Sequence, residues 1–162
     1  MAENKDIFLK IEGITGESQD DKKKGQIEIE SCSFGCSQSG SFAVGSGGGV
    51  GKVNFQDIYF TARVSIADPL LVNACASGKH IPKAEVTFRK AGGTQEEYAI
   101  ITLTDVLVSS YQFGGSGGAG LPTCSFALNF SKFQIKVAPQ EAKGNLSGAV
   151  NGGWDLKANK LV

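Results

Sequence analysis

Between Thr104 and Gly118 the chain reads T-D-V-L-V-S-S-Y-Q-F-G-G-S-G-G, a run of β-branched and aromatic residues that stops in glycine. Such density of χ1-restricted side chains favours a strand, and the glycines mark where it must turn back. The same punctuation recurs. The 22 glycines, against only four prolines, gather at Gly45 to Gly51, Gly92 to Gly93, Gly114 to Gly120 and Gly152 to Gly153, each group lying between strand-like runs. They separate strands rather than forming one low-complexity tract.

Alternation places the strands. Ile7, Leu9 and Ile11 share a face, as do Ile27 and Ile29, while Lys10, Glu12, Glu28 and Glu30 point away. From Val53 to Val64 both faces carry apolar residues, which predicts a strand covered on both sides. Ala84, Val86 and Phe88 oppose Glu85, Thr87 and Arg89, and Gly92-Gly93 suits the reversal into a strand from Glu97. Between Cys124 and Val137 the large residues shift from Phe126, Leu128 and Phe130 to Phe133, Ile135 and Val137. That shift predicts a bulge, or a strand that leaves one contact and enters another. One helix is signalled over Pro69 to Ser77: Asp68 as cap, Pro69 in the first turn, a stripe of Leu70, Leu71, Ala74 and Cys75, and Gly78 as the stop. About seven strands and one short helix make a closed barrel or a sandwich.

The 162 residues fit a single domain, and no repeat or linker divides them. Sixteen basic residues balance sixteen acidic ones, so no field of one sign recruits nucleic acid. Apolar runs are short and interrupted, so neither a transmembrane helix nor a signal-peptide core is expected.

Chemistry is sparsely signalled. Gly51-Lys52 resembles the end of a phosphate-binding loop, but Ser46 and Val53 break the pattern and a strand follows instead of a helix. Gly115, Gly117 and Gly120 have dinucleotide spacing, yet Pro122 and a strand come next. Cys32, Cys36, Cys75 and His80 are the right ligand types for zinc at the wrong steps, so no metal or other cofactor is expected. A Cys75–His80 hydrolase would set a thiol on an apolar helix stripe, and no catalytic residue is assigned. The four cysteines are expected to be free thiols. Asp20 and Asp21, and Glu96 and Glu97, read as solvated surface.

Together with the Thr104–Gly118 run, the segments I-F-L-K-I-E-G-I-T-G-E-S (Ile7 to Ser18), G-S-G-G-G-V-G-K-V (Gly45 to Val53), C-A-S-G-K-H-I-P (Cys75 to Pro82) and R-K-A-G-G (Arg89 to Gly93) carry a resemblance. The chain resembles the haemolysin-coregulated protein (Hcp) family of bacterial type VI secretion over nearly its whole length. The resemblance implies a mainly β fold, residues 1–162 forming one closed antiparallel β-barrel with a short α-helix outside and extended glycine-rich loops. It also implies homohexameric rings that stack into a hollow tube, carry or chaperone secreted effectors, and work with sheath and spike proteins; it implies no enzyme and no membrane insertion. Such a protein is cytoplasmic before assembly and leaves through the secretion machine without a signal peptide. The alternative is a small-ligand-binding β-barrel without ring assembly.

Carried onto this sequence, the contact loop is Gly45, Gly47, Gly48, Gly49, Val50, Gly51 and Lys52, and the ring edge is Ser110, Tyr111, Gly114 and Gly115. Gly153-Trp154-Asp155 matches the C-terminal signature. E-S-C-S-F-G-C from Glu30 departs where many relatives have aromatic residues at Cys32 and Phe34, and the loop Gly114 to Leu121 lacks their acidic residues. If Cys32 and Phe34 face the core, alternation turns Ser31 and Ser33 outward, where they are candidates to line the channel.

Overall fold

The computed structural model describes residues 7–40, 51–90, 95–118, 120–139 and 148–162. In chain order the elements are β1 (Ile7–Ile11), β2 (Ile27–Glu28), β3 (Ser31–Ser33), β4 (Cys36–Ser37), β5 (Asn54–Phe55), β6 (Ile58–Arg63), α1 (Ala67–Ser77), β7 (Ile81–Arg89), β8 (Glu97–Gly114), β9 (Thr123–Val137), β10 (Val150–Asp155) and β11 (Lys160–Leu161). All pairing is antiparallel. A nine-stranded sheet runs β11-β10-β9-β8-β7-β1-β2, with β6 on the second edge of β9 and β3 on β6; β4 and β5 pair separately.

Two long strands organise it. β8 and β9 pair from Ala99↔Val137 to Gly114↔Thr123, with a register shift between Val108 and Ser110. The far edge of β9 pairs with β6 over Thr123 to Leu128 and with β10 over Lys132 to Val137. The shift of large residues along β9 therefore marks a strand that changes partners, and the extra residue lies in β8.

Inward rows follow from the pairing. Leu9, Val86, Ile101 and Ile135 form one, and Ile58, Leu128 and Val108 another. Phe60 and Phe126 stack at 5.2 Å. β6 buries Ile58, Phe60 and Ala62 and exposes Tyr59, Thr61 and Arg63, so the expected cover on both faces is absent in this chain. Phe34, expected in the core, is exposed but packs on Phe133 at 4.8 Å, because β3 ends one residue before it.

The helix begins two residues earlier than its sequence signals suggest. Ser65 and Asp68 form a reciprocal cap: the Asp68 carboxylate accepts from the Ser65 N–H at 2.8 Å, and Ser65 Oγ accepts from the Ala67 N–H at 3.2 Å. Its buried stripe is Ala67, Leu71 and Ala74, whereas Leu70 faces out. Gly78 ends it at φ +64°, and Lys79 N–H reaches back to Ala74 O.

The face of β7 read as solvated is covered. Thr87 and Arg89 are buried, and so is Phe8 beside them. The segment between Ile14 and Gln26 lies over them: Arg89 donates to both Asp20 oxygens at 2.9 and 2.8 Å, and its guanidinium stands 4.8 Å over the Phe8 ring. Lys23 pairs with Glu97 and reaches Thr87 Oγ1 at 3.4 Å. Asp20 and Glu97 are thus ion-pair partners of buried cations rather than free surface carboxylates, because a buried guanidinium or ammonium requires an opposite charge. The hydrogen bond from Arg89 holds the Asp20 carboxyl down at about 2.

Two predictions follow from these contacts. A Cβ on Gly153 would stand 2.7 Å from Phe133 O, whereas one on Gly152 meets Ile135 at an ordinary 3.7 Å. Gly153→Ala should cost about 1–3 kcal/mol and Gly152→Ala much less, read by urea denaturation. Since the folded pKa of Asp20 lies below its unfolded 3.8, its contribution is complete above pH 4 and is lost as pH falls through about 2. Asp20→Asn should therefore cost about 2 kcal/mol at pH 7 and converge with the parent near pH 2.

Candidate interaction surface

The outward face of β3, β6, β9 and β8 is laid out by register. One row is Ser33, Tyr59, Ala127 and Ser110; the next is Ser31, Thr61, Ser125 and Gln112; a third is Arg63, Thr123 and Gly114. Ser31 and Ser33, read from sequence as channel candidates, thus share one continuous surface with Ser110, read as ring edge. Hydroxyl and amide groups dominate it, and Tyr59, 53% exposed among small neighbours, is its aromatic member. Its charges are engaged: Asp57 accepts from Ser109 Oγ at 2.6 Å and Asn129 Nδ2 at 2.8 Å, and Arg63 lies 3.3 Å from Glu30. Ser31 and Thr61 share a hydrogen bond between their hydroxyls.

The remaining candidates are placed differently. Tyr111 points inward beyond the β8 register shift and donates to Asp68 Oδ2 at 2.5 Å, tying α1 to β8; burial first, and then the Asp68 carboxylate, push its phenol pKa up. Gly114 and Gly115 are exposed at the hairpin end, Gly115 beside Pro122. Gly51 packs against Ser39 so closely that a Cβ would stand 2.1 Å from its hydroxyl, and Lys52 is exposed. Gly45, Gly47, Gly48, Gly49 and Val50 lie outside the described residues, as does the Gly92-Gly93 reversal.

A polar cluster that sequence reasoning missed centres on Asp105, whose backbone is left-handed at φ +53°. It collects His80 Nε2 at 3.0 Å, Ser131 Oγ at 2.8 Å and Lys157 Nζ at 3.2 Å. These bonds, Ser131 foremost, lower its pKa to about 2. Hydroxyl and imidazole go to the same carboxylate, so the hydroxyl is not bonded to the imidazole as a nucleophile–base pair requires. The arrangement anchors the turn after β10 to the kink shared by β8 and β9, and His80 faces this carboxylate in place of the Cys75 thiol once considered. No local sequence signal joins residues so far apart.

The four cysteines are free; burial raises Cys32 to about 11, and burial followed by Asp68 raises Cys124 to about 12, so both stay protonated thiols at neutral pH. Among the described residues no group of three or more His, Cys, Asp or Glu is placed to hold a metal ion, and no helix is long and apolar enough to cross a membrane.

A β sheet of this topology with one helix, an uncharged outer face and a glycine-bounded β8–β9 ribbon is the class of protein found in type VI secretion. The profile described as "Type VI secretion system effector, Hcp" matches residues 8–137. The chain belongs to the Hcp family. Protein hcp1 of Pseudomonas aeruginosa is 48% identical over 156 residues, covering 95% of this chain and 96% of that protein. The crystal structure of Hcp1 from Salmonella typhimurium superposes with a TM-score of 0.81 at 37% identity, over 97% of this chain and 98% of that one. A structure described as a type six secretion system protein reaches 0.91 at 28% identity, over 97% and 99%.

Proposed function

We propose that this chain is the subunit of a type VI secretion inner tube: six copies close into a ring, rings stack, and the hollow assembly is expelled with effectors in its lumen. Nearly full-length similarity to Hcp proteins carries this reading. The protomer is a closed barrel. Ile29 N–H bonds to Ile7 O at 3.0 Å and Glu30 N–H to Thr61 O at 2.8 Å, so the chain between β2 and β3 leaves the β1 end of the sheet and joins the β6 end. Its interior is occupied by Ile58, Phe60, Leu103 and Leu128, which supports a structural subunit over a barrel that holds a small ligand.

Its partners are its own copies, secreted effectors, and the sheath and spike of the machine. It acts without catalysis, is cytoplasmic before assembly, and is then secreted. Ser110, Gly114 and Gly115 serve the ring edge, with Tyr111 positioning that strand from within. Gly45, Gly47, Gly48, Gly49, Val50, Gly51 and Lys52 serve as the loop reaching another copy. Ser31 and Ser33 face the channel, where small hydroxyls leave room for cargo and offer hydrogen bonds that are insensitive to salt.

Light scattering after size exclusion should give a particle six times the 16.9 kDa chain mass at micromolar concentration, and a monomer across ordinary salt would overturn the reading. Ser33→Gln should leave that particle intact while lowering effector retention in a co-purification assay. A Ser33→Gln ring that retains and exports cargo like the parent would remove Ser33 from the channel without touching the ring.

A further inference from the structure

Two unlike apolar surfaces stand at opposite ends of β8. At the hairpin end Phe113, Leu121 and Ile66 are 59%, 68% and 58% exposed. Tyr111 binds Asp68 in the first turn of α1, which brings Phe113, two residues on, to the same end as Ile66. Gly114 and Gly115 beside Phe113 carry no side chains, so its ring stands clear as a knob.

At the other end, a groove of about 310 Å³ crosses β7 to β10. Gly152, Ile100 and Ile135 are its apolar lining, Glu85 and Lys136 its charged wall groups, and Val162 lies at its margin. Exposed Val150 and Leu161 continue its apolar surface.

We infer that the Phe113 knob of one copy seats in the Gly152 groove of the next. This rests on the self-assembly proposed above and names a joint within it. The occupant must be a second copy, because Ile100 and Phe113 lie thirteen residues apart on one strand, roughly 40 Å, and the hairpin cannot fold back into its own groove. A knob and a pocket on different parts of one chain make a head-to-tail contact that repeats from copy to copy. The charges suit it: Arg63 and Glu17 stand at the knob end, and Glu85 and Lys136 in the groove, one of each sign on either side. A fully seated aromatic is the kind of side chain that dominates such interfaces.

The test compares Phe113→Ser, Gly152→Leu and Lys136→Glu by sedimentation over a concentration series, with circular dichroism checking the fold. Gly152 has room for a Cβ, so leucine fills the groove from its floor, and Lys136→Glu alters its wall if that variant fails to fold. Each folded variant should raise the concentration needed for assembly by about thirtyfold or more. Parent-like assembly of Phe113→Ser, or of both groove variants, overturns the joint while leaving the ring reading intact. A parent chain that stays monomeric overturns both.

Discussion

The paired run of β8 and β9 is the constraint on which the rest of this fold depends. From Ala99↔Val137 to Gly114↔Thr123 the two strands share nearly their whole lengths, and β7, β6 and β10 attach to them. Because β9 exchanges β6 for β10 along its far edge, one ribbon supports two differently directed parts of the sheet. Its interior is set by the rows of Leu9, Val86 and Ile101 and of Ile58, Leu128 and Val108, where apolar burial supplies most of the driving force.

Polar groups mark the place where the ribbon bends. Asp57 holds Ser109 and Asn129 beside the register shift, and Asp105, in a backbone conformation unfavourable for a residue with a side chain, gathers His80, Ser131 and Lys157. Each carboxylate bonds groups from more than one element. Both serve a framework whose outward surfaces are available for association, the use that family membership indicates.

The surface itself divides by chemistry. Around Ser33, Tyr59 and Ser110 it is uncharged and hydroxyl-rich, whereas the β1–β7 side carries buried ion pairs under the segment from Ile14 to Gln26. Exposed edges and faces of this kind are a hazard in a solitary protein and become joints when copies pair. The charge balance of the whole chain removes long-range repulsion between copies.

Strand periodicity and glycine punctuation by themselves determined that this chain is mainly β with one short helix, since side-chain alternation and backbone freedom are local properties. The inward residues of β1, β6 and β8 were legible for that reason, and the quoted segments identified the family. Tertiary structure decided what depends on neighbours distant in sequence. It buried Thr87 and Arg89 by laying Asp20 and Lys23 over them, turned Tyr111 inward past a register shift, gave His80 to Asp105, and set Ser33 and Ser110 in one row across two intervening strands. Periodicity specifies which residues share a face of one strand; which strand lies beside it, and what covers that face, is decided by pairing and packing across the whole sheet.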